Sequence, residues 1–168
     1  MAPRYYTVTW DQLHRDAKAL AWRLVGKGPE NGGFKGIVAI TRGGLIPAAI
    51  IARELDCRMI ESVSVVTYGQ DGEEQNKGEP QVAKAPVAAG DGTGWLVLDD
   101  LVDTGTTAKI VRAMLPGAHF ATIYAKPAGR PLVDSFVTEV SQDTWILFPW
   151  DTEPQFIAPI ARSATPGK

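Results

Sequence analysis

A single cysteine, Cys57, rules out an intrachain disulfide, and nothing in the cysteine usage points to an oxidising compartment. Long apolar runs are missing as well: every uninterrupted stretch falls far short of the ~20 residues a spanning helix needs. The opening MAPRYYTVTWDQ has no positive segment followed by an apolar core, so it does not read as a secretory leader. On these grounds the chain is expected to be cytoplasmic and without an integral membrane segment. Charge of one sign is also lacking. Lys and Arg number 17 against 19 Asp and Glu, a formal net charge of -2, which supplies no basic field for nucleic acid and leaves any anionic ligand to be met locally. Two nucleotide-binding signatures are absent. There is no G-x-x-x-x-G-K-[ST], and no G-x-G-x-x-G after a strand, which excludes a P-loop NTPase and a dinucleotide-binding unit.

What is present alternates between strand and helix patterns. The 168 residues, 45% of them hydrophobic, suit one domain over 1-160 with a disordered tail at 161-168. Leu13, Ala17, Leu20, Ala21 and Leu24 recur at helical spacing, with Thr9 and Gln12 placed as a capping box, which predicts a helix over about 10 to 26. "GIVAI" (36 to 40) reads as a strand buried on both faces, and "LIPAAIIAREL" (45 to 55) as a helix with Pro47 in its first turn. Further strands are expected at "MIESVSVVTY", "WLVLD", "HFATIYA" and "TWILF", with a short one at "SFVTEV". "TGTTAKIVRAML" reads as a helix with Ile110, Val111, Met114 and Leu115 inward. The alternation makes the fold class α/β, a mostly parallel twisted sheet flanked by helices. Residues 69 to 94 hold six Gly and two Pro among many charges and show no period, so they are expected to form a flexible active-site loop.

The chemistry gathers at "WLVLDDLVDTGTTAKIV" (95 to 111), where three carboxylates follow a buried strand. In parallel α/β sheets ligands sit beyond the carboxyl ends of the strands, where a loop enters a helix N-terminus. There the free N–H groups of the helix start, Gly105 and the hydroxyls of Thr104, Thr106 and Thr107 make a cup for a phosphate monoester. Asp99, Asp100 and Asp103 would repel a phosphate by themselves. They make sense if a ribose or a hydrated magnesium ion is bound as well, or if one of them takes a proton.

The stretch matches the pattern hydrophobics-D-D-x-x-x-T-G-x-T, and with "GIVAITRGGLIPAA", "FATIYAKPAGRPLVDSFV" and "QDTWILFPWD" the chain resembles the type I phosphoribosyltransferases over nearly its whole length, in particular the bacterial purine-salvage enzymes among them. The resemblance implies that family's fold, with a small C-terminal hood. It also implies a reaction: transfer of the 5-phosphoribosyl group from phosphoribosyl diphosphate to guanine or xanthine, hypoxanthine more weakly, giving the nucleotide and pyrophosphate. By the same resemblance Asp103 to Thr107 cradle the 5'-phosphate, Asp99 and Asp100 face the ribose hydroxyls and the metal side, and Asp100 is the Mg2+ contact. Asp103 is the candidate general base at purine N7. Its other possible role is to orient the base while its charge favours a cationic, ribosyl-like transition state. Arg42 and Gly43 in "TRGG" meet pyrophosphate, and the Thr41–Arg42 peptide is expected to be cis. Lys126 faces the purine 6-oxo group, which disfavours adenine because donor would meet donor. Trp145 stacks on the base, and the backbone of Ile146 reads its 2-position.

Two positions depart from the family pattern. Relatives carry an arginine in the mobile loop, where this chain has none and Lys77 is the nearest cation, a point charge and not a bidentate fork. Thr106 stands where close relatives have Gly. The resemblance also implies a homotetramer, or at least a dimer, and would allow peripheral association with the inner membrane face, but nothing in the sequence resembles an amphipathic basic anchor, so the cytoplasm stands first. A hypoxanthine-preferring enzyme is the alternative within the class. Outside it stands a phosphoribosyl-diphosphate-sensing regulator that binds nucleic acid, against which the acidic balance speaks. His119, at a strand start, is expected to be structural, and His14, on the first helix, to lie at the surface.

Overall fold

Thr9 opens the first helix by accepting a hydrogen bond from the Gln12 N–H at 3.2 Å. Only half of the capping box forms: the Gln12 amide donates to Tyr6 Oη at 2.7 Å instead of turning back to Thr9. The computed structural model describes residues 2–29, 33–67 and 78–151. In chain order the elements are β1 (Arg4–Thr7), α1 (Trp10–Leu24), β2 (Gly36–Ile40), α2 (Leu45–Glu54), β3 (Ile60–Thr67), β4 (Pro80–Lys84), β5 (Trp95–Val102), α3 (Thr106–Met114), β6 (His119–Ala125), β7 (Thr138–Glu139) and β8 (Thr144–Leu147).

Six strands make the main sheet in the order β4-β3-β2-β5-β6-β7, all pairs parallel except β3 with β4. β2 lies at its centre and is buried at every residue, which is why its sequence is a continuous apolar run. Alternation along the strands divides the core. Ile37, Ala39, Leu96 and Leu98 pack against α1 and α2, while Val38, Ile40, Val97 and Phe120 pack with Ala108 and Val111 of α3. The fold is therefore α/β, a mostly parallel sheet between helices.

The structure corrects several expectations. The stretch from 69 to 94 is not irregular throughout: β4 pairs antiparallel with β3, and Val87–Ala89 form one 3-10 turn. Every residue of β4 except half-buried Pro80 is exposed, so no apolar pattern announces it, and it is an edge strand made by its neighbour. Residues 69–77 lie outside the described residues. β5 runs three residues beyond "WLVLD", because β6 continues to pair with it as far as Val102↔Ala125. The strand expected at "SFVTEV" shrinks to Thr138–Glu139. In α3 the buried residues are Ala108 and Val111, followed by Leu115 just past its end, whereas Ile110 and Met114 are half-buried. β1 was not expected at all. It pairs in parallel with β8, so the hood is a two-stranded sheet made from both ends of the described chain.

Candidate active site

β5 delivers Asp99 and Asp100 inside the sheet rather than past its end, with the Asp100 N–H donating to Asp99 Oδ1 at 2.8 Å. Burial, and next the charge of Asp100, pushes the Asp99 carboxyl well above the usual carboxylate range. Burial raises Asp100 too. Among the described residues no Lys or Arg forms an ion pair with either acid. Two crowded carboxyls without a cation suit a divalent ion, which would favour their charged forms.

Asp100 packs against the turn that follows β2. A Cβ on Gly43 would run into its carboxylate, and one on Gly44 into the carbonyl oxygens of Leu98 and Ile40. Only glycine lets this backbone lie so close to β5. The Thr41–Arg42 peptide in the turn is cis. Thr41 ties the turn to β3, its N–H donating to Val63 O at 3.0 Å and its hydroxyl sharing a 2.6 Å hydrogen bond with Ser64. The Arg42 side chain is exposed and has no partner among the described residues.

Beyond β5 the chain bends through Asp103 and Thr104 to Gly105, whose φ of 90° places it in the left-handed region as the N-cap of α3. A cavity of about 130 Å³ opens there, lined by Asp99 and by Asp103 to Thr107 among others. The first N–H groups of α3 have no intrahelical partners. With the hydroxyls of Thr104 and Thr106, 3.2 Å apart, they offer donors to an anion.

Asp103 meets a second group of residues. Lys126, at the end of β6 and only 5% exposed, donates through Nζ to Asp103 Oδ2 at 3.2 Å. Gln142, in the turn leading into β8, donates through Nε2 to Asp103 Oδ1 at 2.8 Å. Three residues further on, Trp145 is 61% exposed, an unusual cost for a large apolar ring, whereas the Ile146 side chain is buried in the core and offers the site only its backbone. The structure thus brings together Asp99 with Asp103 to Thr107 around one cavity, Asp100 with Gly43, and Lys126 with Asp103. Lys77 lies outside the described residues. Among the described residues Gln142 is the one polar contact of the Asp103 side chain that the sequence did not single out. Its signal is that it opens "QDTWILFPWD", three residues before Trp145. Among the described residues no cluster of three or more His, Cys, Asp or Glu could hold a metal, so any ion here would take few protein ligands and draw the rest from substrate oxygens or water.

A family described as the phosphoribosyl transferase domain matches residues 9–157. The xanthine-guanine phosphoribosyltransferase of Gluconobacter oxydans (strain 621H) is 64% identical over 159 residues, 95% of this chain and 92% of that protein. The protein of the same name from Desulfotalea psychrophila (strain LSv54 / DSM 12343) is 63% identical over 157 residues, 94% of this chain and 92% of its own length. Among solved structures, purine phosphoribosyltransferase from Pyrococcus horikoshii Ot3 superposes with a TM-score of 0.71 at 27% identity, over 92% of this chain and 99% of that one.

Proposed function

The chain belongs to the phosphoribosyltransferase family, and from that premise we propose that it is a purine-salvage enzyme that transfers the 5-phosphoribosyl group from phosphoribosyl diphosphate to guanine or xanthine, and more weakly to hypoxanthine. The observation that carries this reading is the pairing of Lys126 with Asp103 Oδ2 at 3.2 Å beside the phosphate cup. An ammonium and a carboxylate side by side present a donor and an acceptor. That order complements the 6-oxo oxygen and N7–H that neighbour each other on the edge of a 6-oxopurine. Adenine would put an amino group against Lys126 and leave both without a partner.

In this reading the α3 N-terminus, with Thr104, Gly105, Thr106 and Thr107, holds the 5'-phosphate, and Asp99 faces the ribose hydroxyls. Arg42 and the Gly43 backbone receive the diphosphate, with Lys77 as a further cation for it. Trp145 stacks on the purine, and the backbone of Ile146 meets its 2-position. N9 of the purine then attacks C1', the bond from C1' to the diphosphate oxygen breaks with its electron pair leaving on diphosphate, and the N7 proton passes to Asp103. Magnesium fits at Asp100, where the half-buried acid pair has no ion-paired Lys or Arg among the described residues, and when bound there it would shield the charge of the departing diphosphate. No helix among the described residues is long and apolar enough to cross a membrane. Exposed Trp22, Met59 and Ile60 support association with further copies, for which the family resemblance points to a homotetramer.

The test is pyrophosphate release by the purified protein with magnesium and phosphoribosyl diphosphate, comparing guanine, xanthine, hypoxanthine, adenine and uracil. Release with guanine and xanthine, less with hypoxanthine and none with adenine or uracil is expected. Silence with every base, alongside measurable binding of phosphoribosyl diphosphate, would overturn the reading.

A further inference from the structure

Asp103 has two carboxylate oxygens, and the reaction proposed above needs one of them free to meet purine N7. The Asp103 side chain is half exposed and lies in a loop, so nothing in its own segment selects which oxygen that is. Its two partners differ in kind. Lys126 must turn toward the purine oxo group when substrate enters, and its hold on Oδ2 is then shared or lost. Gln142 faces no such demand.

The Gln142 amide is held at both ends. Its Oε1 accepts from the Ala128 N–H at 2.9 Å, and its Nε2 donates to Asp103 Oδ1 at 2.8 Å. A backbone N–H can only donate and a carboxylate can only accept, so the oxygen and nitrogen of the amide cannot be exchanged. The backbone beneath it is held as well. Thr144 N–H donates to Ser141 O at 3.0 Å, and the Ser141 hydroxyl contacts Asp143 Oδ1 at 2.7 Å and Thr144 Oγ1 at 2.6 Å. Gln142 therefore reaches Asp103 from a turn that is already closed, and it bridges the phosphate loop, the turn after β6 and the lead into the strand that carries Trp145.

We propose that Gln142 is a positioning residue for this reaction: it caps Asp103 Oδ1, stops the carboxylate from rotating, and leaves Oδ2 as the oxygen aimed at purine N7 after Lys126 has moved to the oxo group. The proposal rests on the purine-transfer reading. Because Gln142 acts through Asp103, its loss falls on the chemical step and on purine use, and leaves the phosphate cup intact.

Two variants separate this role from simple support of the turn at Ala128. Gln142→Met keeps the length and loses both hydrogen bonds. Gln142→Glu keeps an acceptor for the Ala128 N–H but sets a second carboxylate against Asp103. For each, kcat and the KM for guanine are measured beside calorimetric binding of phosphoribosyl diphosphate and the melting temperature. Both variants are expected to lose about ten- to a hundredfold in kcat/KM for guanine, with Q142E at least as impaired as Q142M, while phosphoribosyl diphosphate binding stays within about twofold of wild type, too small a change for a lost cup contact. If Q142E works like wild type and Q142M alone fails, the residue serves only the Ala128 turn and the proposal is overturned. Wild-type kinetics in both variants, or a parallel loss of ligand binding and melting temperature, would overturn it too. Wild-type protein that turns over no purine defeats the underlying reading first, and so the two failures are told apart.

Discussion

Asp103 is held by one charged and one neutral donor, Lys126 Nζ and Gln142 Nε2, and in the proposed reaction only its basicity is consumed. Asp103→Asn preserves the shape of the loop and removes the proton acceptor. Turnover is expected to fall by about a hundredfold while phosphoribosyl diphosphate still binds, as measured by steady-state assay beside calorimetry; unchanged turnover would remove the acid–base role. His119 makes a different prediction at the same scale. Its ring is hydrogen-bonded to Ser135 Oγ at 2.8 Å, and burial lowers its affinity for a proton below the ordinary value of 6.5, against the opposing charge of Asp134 and with a smaller push from Arg112 and Lys27. The unfolded chain therefore takes up a proton near pH 6.5 that the folded one refuses until lower pH. Stability from this group is complete above 6.5 and declines as pH falls through the window below it. Melting temperatures from pH 7.5 to 5.5 should fall more steeply for wild type than for His119→Gln, and parallel curves would contradict this.

At the scale of elements, the central strands are packed too tightly to accept side chains that their sequence lacks. Gly36 begins β2 opposite Trp95 of β5, and a Cβ there would enter the indole ring, with its nearest ring carbons at 2.6 and 2.7 Å or closer. Trp95 is itself only 7% exposed, so the ring has little room to retreat. Gly36→Ala is expected to destabilise the protein by about 1–3 kcal/mol, the usual cost of overpacking, read from the denaturant midpoint. A shift of that size is well resolved for a chain of this length. The same closeness explains how the site is built: β5 carries its two acids within the paired part of the sheet, and the glycines after β2 let Asp100 lie against their backbone.

Across the whole molecule the two ends of the described chain meet in the hood. β1 pairs with β8, placing Tyr5 beside Trp145 and Tyr6 beside Ile146. An aromatic series continues inward, with Tyr6 edge-on to Tyr124 at 5.9 Å, Tyr124 against Phe148, and Phe148 stacked on Trp150 at 4.8 Å. In the proposed reading the purine side of the site is thus supported from the N-terminal strand, while the phosphate side depends on β5 and α3. Deleting residues 2–5 spares buried Val8 and the Thr9 cap. It should raise the KM for guanine several-fold and leave phosphoribosyl diphosphate binding unchanged, because only the hood is affected, losing the first half of β1. Equal losses in both would show that the hood and the cup do not act separately.

The amino-acid sequence by itself determined what depends on neighbours along the chain. Burial on both faces removes alternation from β2 and leaves the continuous run GIVAI. Helical spacing marks α1, and Asp99 to Thr107 are legible because a strand, a loop and a helix start follow one another without a break. Tertiary structure alone decided the rest. β4 and β1 lack an apolar signature and exist through pairing with β3 and β8, and the sheet order with its central β2 likewise follows from contacts between distant segments. Gln142 meets Asp103 from 39 positions away and Ala128 from 14. No period or local motif encodes such a hydrogen bond, since its geometry exists only after the sheet, the phosphate loop and the hood have come together.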